Sequence, residues 1–188
     1  MKPVILLLLL AVPFGAVLAA ISAPKPEVEL YEVDGASLAE LREGLATRGP
    51  VGQDAVRYHG YTEWHVSWSY RTATDGASCE IVDFSTTVTA TIMLPIWRPA
   101  PRVDAGLVER WTTYRNALER HELGHHAFAL AAADELEREL GALSGDAGCA
   151  PLVEQLNARG SEIVAQQAEL EREYDRTTDH GATQGAIL

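Results

Sequence analysis

The hydrophobic period changes once along this chain, and that change constrains the fold more than any other feature. Before Val103 three runs, at 28–33, 64–70 and 82–94, alternate apolar and polar residues, which predicts β-strands. After Val103 apolar residues recur every three or four positions, which predicts helices. The chain has 188 residues, a length that suits one compact domain. We therefore predict an α+β fold: an antiparallel sheet with a capping helix, followed by two long packed helices.

The first part of the sheet is predicted from a short alternating run and a helix-start signal. Residues 28–33 alternate and predict a strand. Ser37 followed by Glu40 matches a capping box, which predicts a helix from there to about Thr47.

Two longer alternating runs predict the rest of the sheet. They occupy 64–70 and 82–94, and the second has a polar face rich in threonine. Residues 71–79 are expected to connect them, and Pro95 and Pro99 are expected to end the second strand.

Two amphipathic patterns predict the long helices. The first spans about 104–141, and the second begins at Pro151, which is favoured in the first turn of a helix. Gly160 is expected to let the two helices approach closely. The residues on the predicted inner face of the second helix are Val153, Leu156, Gly160, Ile163, Gln167, Leu170 and Tyr174.

The first 23 residues have the pattern of an export signal. Lys2 precedes an apolar run that Pro13 interrupts, and small residues precede a predicted cleavage site after Ala19. Residues 1–19 are therefore predicted to be a signal peptide. The alternative is an uncleaved anchor reaching residue 23, because 4–23 carries no charge and is long enough to span a bilayer. Either interpretation predicts a secreted or periplasmic domain at 24–188.

Cysteine content and net charge indicate how the cysteines pair and which classes of partner to expect. In an oxidising compartment Cys79 and Cys149 are most simply one disulfide, and paired metal thiolates are the alternative. The net charge of −12 disfavours nucleic-acid partners. No glycine-rich phosphate loop is present, so no nucleotide is expected. Membrane contact is expected only if the N-terminal segment stays uncleaved.

The most informative motif is H-E-x-x-H at 121–125, inside the first long helix. His121 and His125 are four residues apart, so both imidazoles lie on one helix face and can bind the same Zn²⁺. Glu122 lies beside them, where its carboxylate can act as a general base toward a water. The motif therefore predicts a zinc-dependent hydrolase.

A catalytic zinc also needs a third protein ligand. If the last helix packs antiparallel to the motif helix, its end returns to the level of the motif. His180 is then the leading candidate and Asp175 the second. Tyr174 lies on the same end, where its hydroxyl could stabilise an oxyanion, although a core aromatic is an equal interpretation. Six other positions are less suitable as the third ligand: His59, His65, His126, Asp134, Glu135 and Glu154.

The sequence also resembles a bacterial family catalogued as a domain of unknown function and described as predicted secreted zinc-dependent proteases. The resemblance covers nearly the whole of the chain after the signal, and its most distinctive part is Y-D-x-x-T-x-H-G at 174–181. It implies a zincin-like peptidase and favours a role for His180. The other matching segments are 31–35, 49–50, Trp64, Trp68, Cys79, 94–97, Trp111, Tyr114, 121–125, Cys149 and 184–185.

Two functions follow from these observations. The first is an exported zinc metallopeptidase that cleaves peptide or protein substrates, with strand 82–94 holding the substrate extended. The alternative is a non-catalytic exported zinc-binding module of the cell envelope, whose site would be closed by four protein ligands with His65 or Asp175 in the fourth position.

Overall fold

The computed structural model describes residues 24–188, so the predicted signal peptide or anchor lies outside the described residues. None of the helices in this range is both long and apolar enough to span a bilayer. The elements in chain order are β1 (Glu27–Val33), α1 (Leu38–Arg48), β2 (Tyr61–Asp75), β3 (Ser78–Trp97), α2 (Ala105–Leu140), β4 (Ser144–Gly145), α3 (Cys149–Thr178) and a 3-10 turn (Ala182–Gln184).

The sheet is mixed, with β3 between β1 and β2. The β2–β3 pair is antiparallel, as predicted, but β1 runs parallel to β3 with Val28 opposite Ile92. The prediction of a wholly antiparallel sheet is therefore wrong. The physical reason is connectivity: α1 and the whole of β2 separate β1 from β3, which gives the chain enough length to enter β3 in the same direction. The short β4 pairs with the first residues of β3 and was not predicted.

The β2–β3 hairpin is longer than the alternating runs suggest. Pairing continues to Asp75 opposite Ser78, so Gly76 and one further residue form the turn. Asp83 has a φ of 50°, beside the register shift that interrupts the pairing. This bulge adds one residue to β3 and reverses which positions face the core before it. Ile81 therefore lies in the core, although the alternating pattern of the residues after the bulge would place it on the polar face.

Pro95 lies within β3 and does not end it. Pairing with β2 reaches only Met93, whereas pairing with β1 extends to Trp97. Pro95 therefore has a strand on one side alone, and a proline is tolerated there because no ladder hydrogen bond is needed on the open side.

Helix α1 begins with the capping box that its sequence predicts. The Ser37 hydroxyl accepts from the Glu40 amide at 3.3 Å, and the Glu40 carboxylate accepts from the Ser37 amide at 3.0 Å. Hydrogen bonds from the Ala36 and Ser37 amides hold the pKa of Glu40 below its ordinary value. The helix ends at Arg48, close to the predicted end.

Helices α2 and α3 form an antiparallel pair that packs on one face of the sheet. Two contacts show the antiparallel order, because Glu139 bonds to Arg159 whereas Glu135, earlier on α2, bonds to the later Gln167. Gly160 does not serve the helix pair as predicted. It faces β2, where an added Cβ would lie 2.7 Å from the Trp68 ring.

The core consists of two adjoining clusters. One lies between the hairpin and the C-terminal half of α2 with α3, and the other lies between β1, α1 and the N-terminal half of α2. Leu170 was predicted to face inward, but 52% of it is exposed. The predicted Cys79–Cys149 disulfide is present and ties the start of β3 to the start of α3. It closes a chain segment of 70 residues.

Candidate metal centre

The H-E-x-x-H segment is buried on the face of α2 that packs toward β2 and α3. His121, Glu122 and His125 have exposed fractions of 2%, 3% and 6%. Charged and imidazole side chains are rarely buried this deeply unless they are paired or bind a metal ion. The partners of these three side chains therefore show what the site can do.

Three potential ligand atoms meet at one point between α2 and α3. The Nε2 atoms of His121 and His125 are 3.2 Å apart. Asp175 Oδ1 lies 3.1 Å from the first and 3.0 Å from the second. Ligands bound to Zn²⁺ at about 2.0–2.1 Å in a tetrahedral arrangement are separated by about 3.3 Å, so this triangle has nearly the size that zinc needs. The residues present fit a zinc ion.

The opposite nitrogen of each imidazole has its own partner. His121 Nδ1 lies 3.0 Å from Oε1 of Gln184, and His125 Nδ1 lies 3.0 Å from Oε1 of Glu171. Trp64 donates its indole N–H to the same Glu171 oxygen at 2.8 Å. Acceptors at both Nδ1 atoms would keep a proton there when a metal ion takes the Nε2 lone pairs, as in histidines that bind metals.

Glu122 faces β2 from the helix. Thr62 donates its hydroxyl to Glu122 Oε2 at 2.8 Å and also lies 3.1 Å from the Glu122 carbonyl oxygen. Gly60 packs against the carboxylate so closely that an added Cβ would collide with it. Burial raises the pKa of Glu122 above its ordinary value, although the charge of His125 and the Thr62 hydrogen bond oppose the rise. A raised pKa suits a carboxylate that accepts and releases a proton near neutral pH.

The charges at the triangle depend on one another. Burial lowers the pKa of His125, but hydrogen bonds to Asp175 and Glu171 outweigh it and raise this pKa to about 10. Burial raises the pKa of Asp175, yet hydrogen bonds from both histidines hold it well below its usual range. His125 therefore carries a proton beside an ionised Asp175, and a metal ion bound at the triangle would displace that proton.

The structure brings three predicted ligand candidates together and leaves one beside them. His121, His125 and Asp175 form the triangle. His180 lies outside it, with Nδ1 3.4 Å from Oδ2 of Asp175 and 53% of its side chain exposed. Its ring packs 5.3 Å from that of Tyr58. Within the described chain, none of the six positions judged less suitable joins the triangle.

Tyr174 packs directly against one of the motif histidines. Its ring stacks on that of His121, with centroids 5.0 Å apart and planes at 16°. Its hydroxyl contacts the His121 carbonyl oxygen at 3.3 Å and the Gln184 side chain, so these groups occupy it. The Tyr174 hydroxyl packs against α2 at Gly124. This close contact is possible because glycine has no side chain there.

Three side chains at the site were missed from the sequence. Glu171 lies one helical turn before Asp175, so the four-residue spacing that identified the histidine pair could have indicated it. Thr62 and Gln184 carry no such local signal, because their approach to the motif depends on how the sheet and the C-terminal segment pack.

Most of the chain, including the site, matches the model of one protein family. Residues 28–181 match the model of a family described as bacterial protein of unknown function, DUF922. The chain belongs to this family. Searches of curated proteins and of solved structures found no match. The matched segment contains all the residues of the triangle and Glu122. The description of the family assigns no activity to them.

Proposed function

We propose that this DUF922 member is a zinc-dependent metallopeptidase. The observation that carries the proposal is the triangle of His121 Nε2, His125 Nε2 and Asp175 Oδ1 beside a buried Glu122. A zinc ion held by these residues would supply a Lewis acid that makes water a nucleophile at neutral pH. Three protein ligands leave a fourth position open, which is typical of catalytic rather than structural zinc sites.

Glu122 is the proposed general base. Its buried carboxylate follows His121 directly on the motif helix, so it can accept a proton from the attacking water. It can then pass this proton to the leaving amine of the cleaved peptide. Thr62 donates a hydrogen bond to Oε2, which holds the carboxylate in one orientation. The other carboxylate oxygen is then the one that accepts and releases the proton.

The strand that would hold the substrate is β2. The sequence suggested residues 82–94, but β3 pairs with β2 as far as Met93 and with β1 from Thr91 to Trp97. β2 pairs only with β3, and in residues 24–188 no strand lies along its other edge. The same strand reaches the proposed base through Thr62. An extended peptide added to this edge would pass Glu122, so unfolded polypeptides are the proposed substrates.

Export remains part of the proposal. The Cys79–Cys149 disulfide is consistent with an oxidising compartment, where such bonds persist. The predicted signal at residues 1–19 supports the same location.

The direct test of the proposed base is Glu122→Gln. The amide keeps the size of the side chain but cannot take a proton, so zinc content is expected to stay at the wild-type level. Hydrolysis of an unfolded protein such as casein is expected to fall by about 100-fold or more, the usual contribution of general acid–base catalysis. Glu109→Gln, at an exposed position on the same helix, is the matched control and should cleave normally.

Normal turnover by Glu122→Gln would contradict the role of Glu122. A wild-type protein that binds zinc tightly yet cleaves no unfolded polypeptide, and whose zinc binds no small hydroxamate, would favour the non-catalytic zinc-binding module instead. Hydroxamates need an open coordination position, which a site closed by four protein ligands lacks.

A further inference from the structure

The segment after α3 folds back over the motif helix. Gly181 lies against His121, where an added Cβ would be 2.8 Å from Cγ of the imidazole, and its φ of 85° favours glycine. The segment is fixed again at Leu188, which is 6% exposed in the core. Arg42 of α1 donates to the Leu188 carbonyl oxygen at 2.8 Å. Both ends of the segment are therefore held against the domain.

Between these two points the segment places one polar side chain on a proposed zinc ligand. Gln184 Oε1 lies 3.0 Å from Nδ1 of His121. Gln184 Nε2 lies 3.1 Å from the hydroxyl of Tyr174, which itself lies 3.3 Å from the His121 carbonyl oxygen. The tyrosine hydroxyl lies within hydrogen-bond distance of both amide atoms, 3.2 Å from Oε1 and 3.1 Å from Nε2, so it anchors the Gln184 side chain beside the imidazole.

The orientation of this amide decides which nitrogen of His121 can bind a metal. With the oxygen toward Nδ1, a proton on Nδ1 has an acceptor, and Nε2 can give its lone pair to a metal ion beside His125 and Asp175. With the NH₂ group toward Nδ1, the proton would sit on Nε2 and the lone pair would face away from the triangle.

We propose that Gln184 is a positioning residue that fixes the His121 tautomer, with Tyr174 anchoring its side chain beside the imidazole. This inference rests on the proposed metal site and deepens it, because it makes metal affinity depend on the C-terminal segment. Partners of this kind, which touch a ligand and not the metal, typically contribute about 10–100-fold in metal affinity.

The test compares Gln184→Leu with Gln184→Glu in the domain at 24–188, by competition for Zn²⁺ with a chromophoric chelator. Leucine has similar size but no acceptor, so Zn²⁺ affinity is expected to fall by about 10–100-fold. Glutamate restores an acceptor for Nδ1–H, so its affinity is expected to stay near wild type. Gln166→Leu, at an exposed position on α3, is the matched control and should bind as wild type does.

A second measurement separates tautomer control from simple packing. In the Co²⁺-loaded protein, the ring N–H proton of His121 gives a strongly shifted NMR signal that exchanges with water. Loss of the Gln184 acceptor is expected to accelerate this exchange in Gln184→Leu, while the thermal unfolding of the metal-free variant stays close to wild type. Unchanged exchange would overturn the inference.

The outcomes distinguish this inference from the proposed function. If wild type binds neither Zn²⁺ nor Co²⁺, the metal site itself fails. If wild type binds Zn²⁺ and Gln184→Leu binds it as tightly, or if Gln184→Glu binds as weakly as Gln184→Leu, the role of Gln184 is overturned while the metal site stands.

Discussion

At the scale of single residues, the setting of Glu122 determines when it can act as a base. Thr62 donates a hydrogen bond to its carboxylate, which stabilises the charged form and opposes the effect of burial on its pKa. Both groups are buried, so water replaces this donor poorly if it is removed.

Thr62→Val is therefore expected to move the acidic limb of the pH profile of kcat/KM to higher pH. Loss of the donor raises the pKa of Glu122, and a base must be deprotonated to work, so activity would appear only at a higher pH. The measurement is the pH dependence of peptide cleavage, with Thr89→Val on the exposed face of β3 as control. An acidic limb that stays in place or moves to lower pH would rule out this role for Thr62.

The same scale explains which site residues could be predicted. His121, Glu122 and His125 lie within one turn and a half of a helix, so their grouping depends only on helical geometry. The choice between Asp175 and His180 was not local. Helix α3 ends at Thr178, and the next two residues have φ values of 50° and 48°. This left-handed turn carries His180 to the edge of the site, and nothing in the residue spacing shows it.

At the scale of elements, helix bounds were predicted closely and strand partners were not. Asp104 caps α2 and Gly141 follows it, and such signals act within one turn. The pairing of β1 with β3 and the bulge at Asp83 depend on contacts between distant segments, which a local pattern does not contain. The position of Gly160 against the sheet also depends on contacts between distant segments, so the local pattern did not indicate it.

Gly160→Ala tests how α3 packs on β2. In an exposed helix this change stabilises by about 0.5–1 kcal/mol, because alanine favours the helix. Here the added Cβ would lie 2.7 Å from the Trp68 ring, so overpacking of about 1–3 kcal/mol is expected to outweigh that gain.

The measurement is urea unfolding of the disulfide-intact protein. Gly160→Ala is expected to lower the midpoint, whereas Ser161→Ala, at the next and exposed position, should leave it equal or higher. Zinc content should be unaffected, because Gly160 lies more than three helical turns from Asp175. A Gly160→Ala variant more stable than wild type would show that the ring and the helix can separate at no cost.

At the scale of the whole molecule, the fold brings three distant parts of the chain to the motif helix. The hairpin supplies Thr62, α3 supplies Asp175 and Glu171, and the C-terminal segment supplies Gln184. The disulfide fixes α3 to the hairpin at the far end from these groups. The site therefore forms only when α3 is docked, and the proposed zinc would in turn stabilise that docking.

The central claim is that His121, His125 and Asp175 hold the metal while His180 does not. The most direct measurement is zinc per chain by elemental mass spectrometry, for wild type, Asp175→Ala and His180→Ala, with folding of each checked by circular dichroism. One zinc in wild type and His180→Ala, with far less in Asp175→Ala, is the expected result. Loss of zinc in His180→Ala with retention in Asp175→Ala would contradict the claim, and so would a wild-type protein that takes up no zinc after reconstitution.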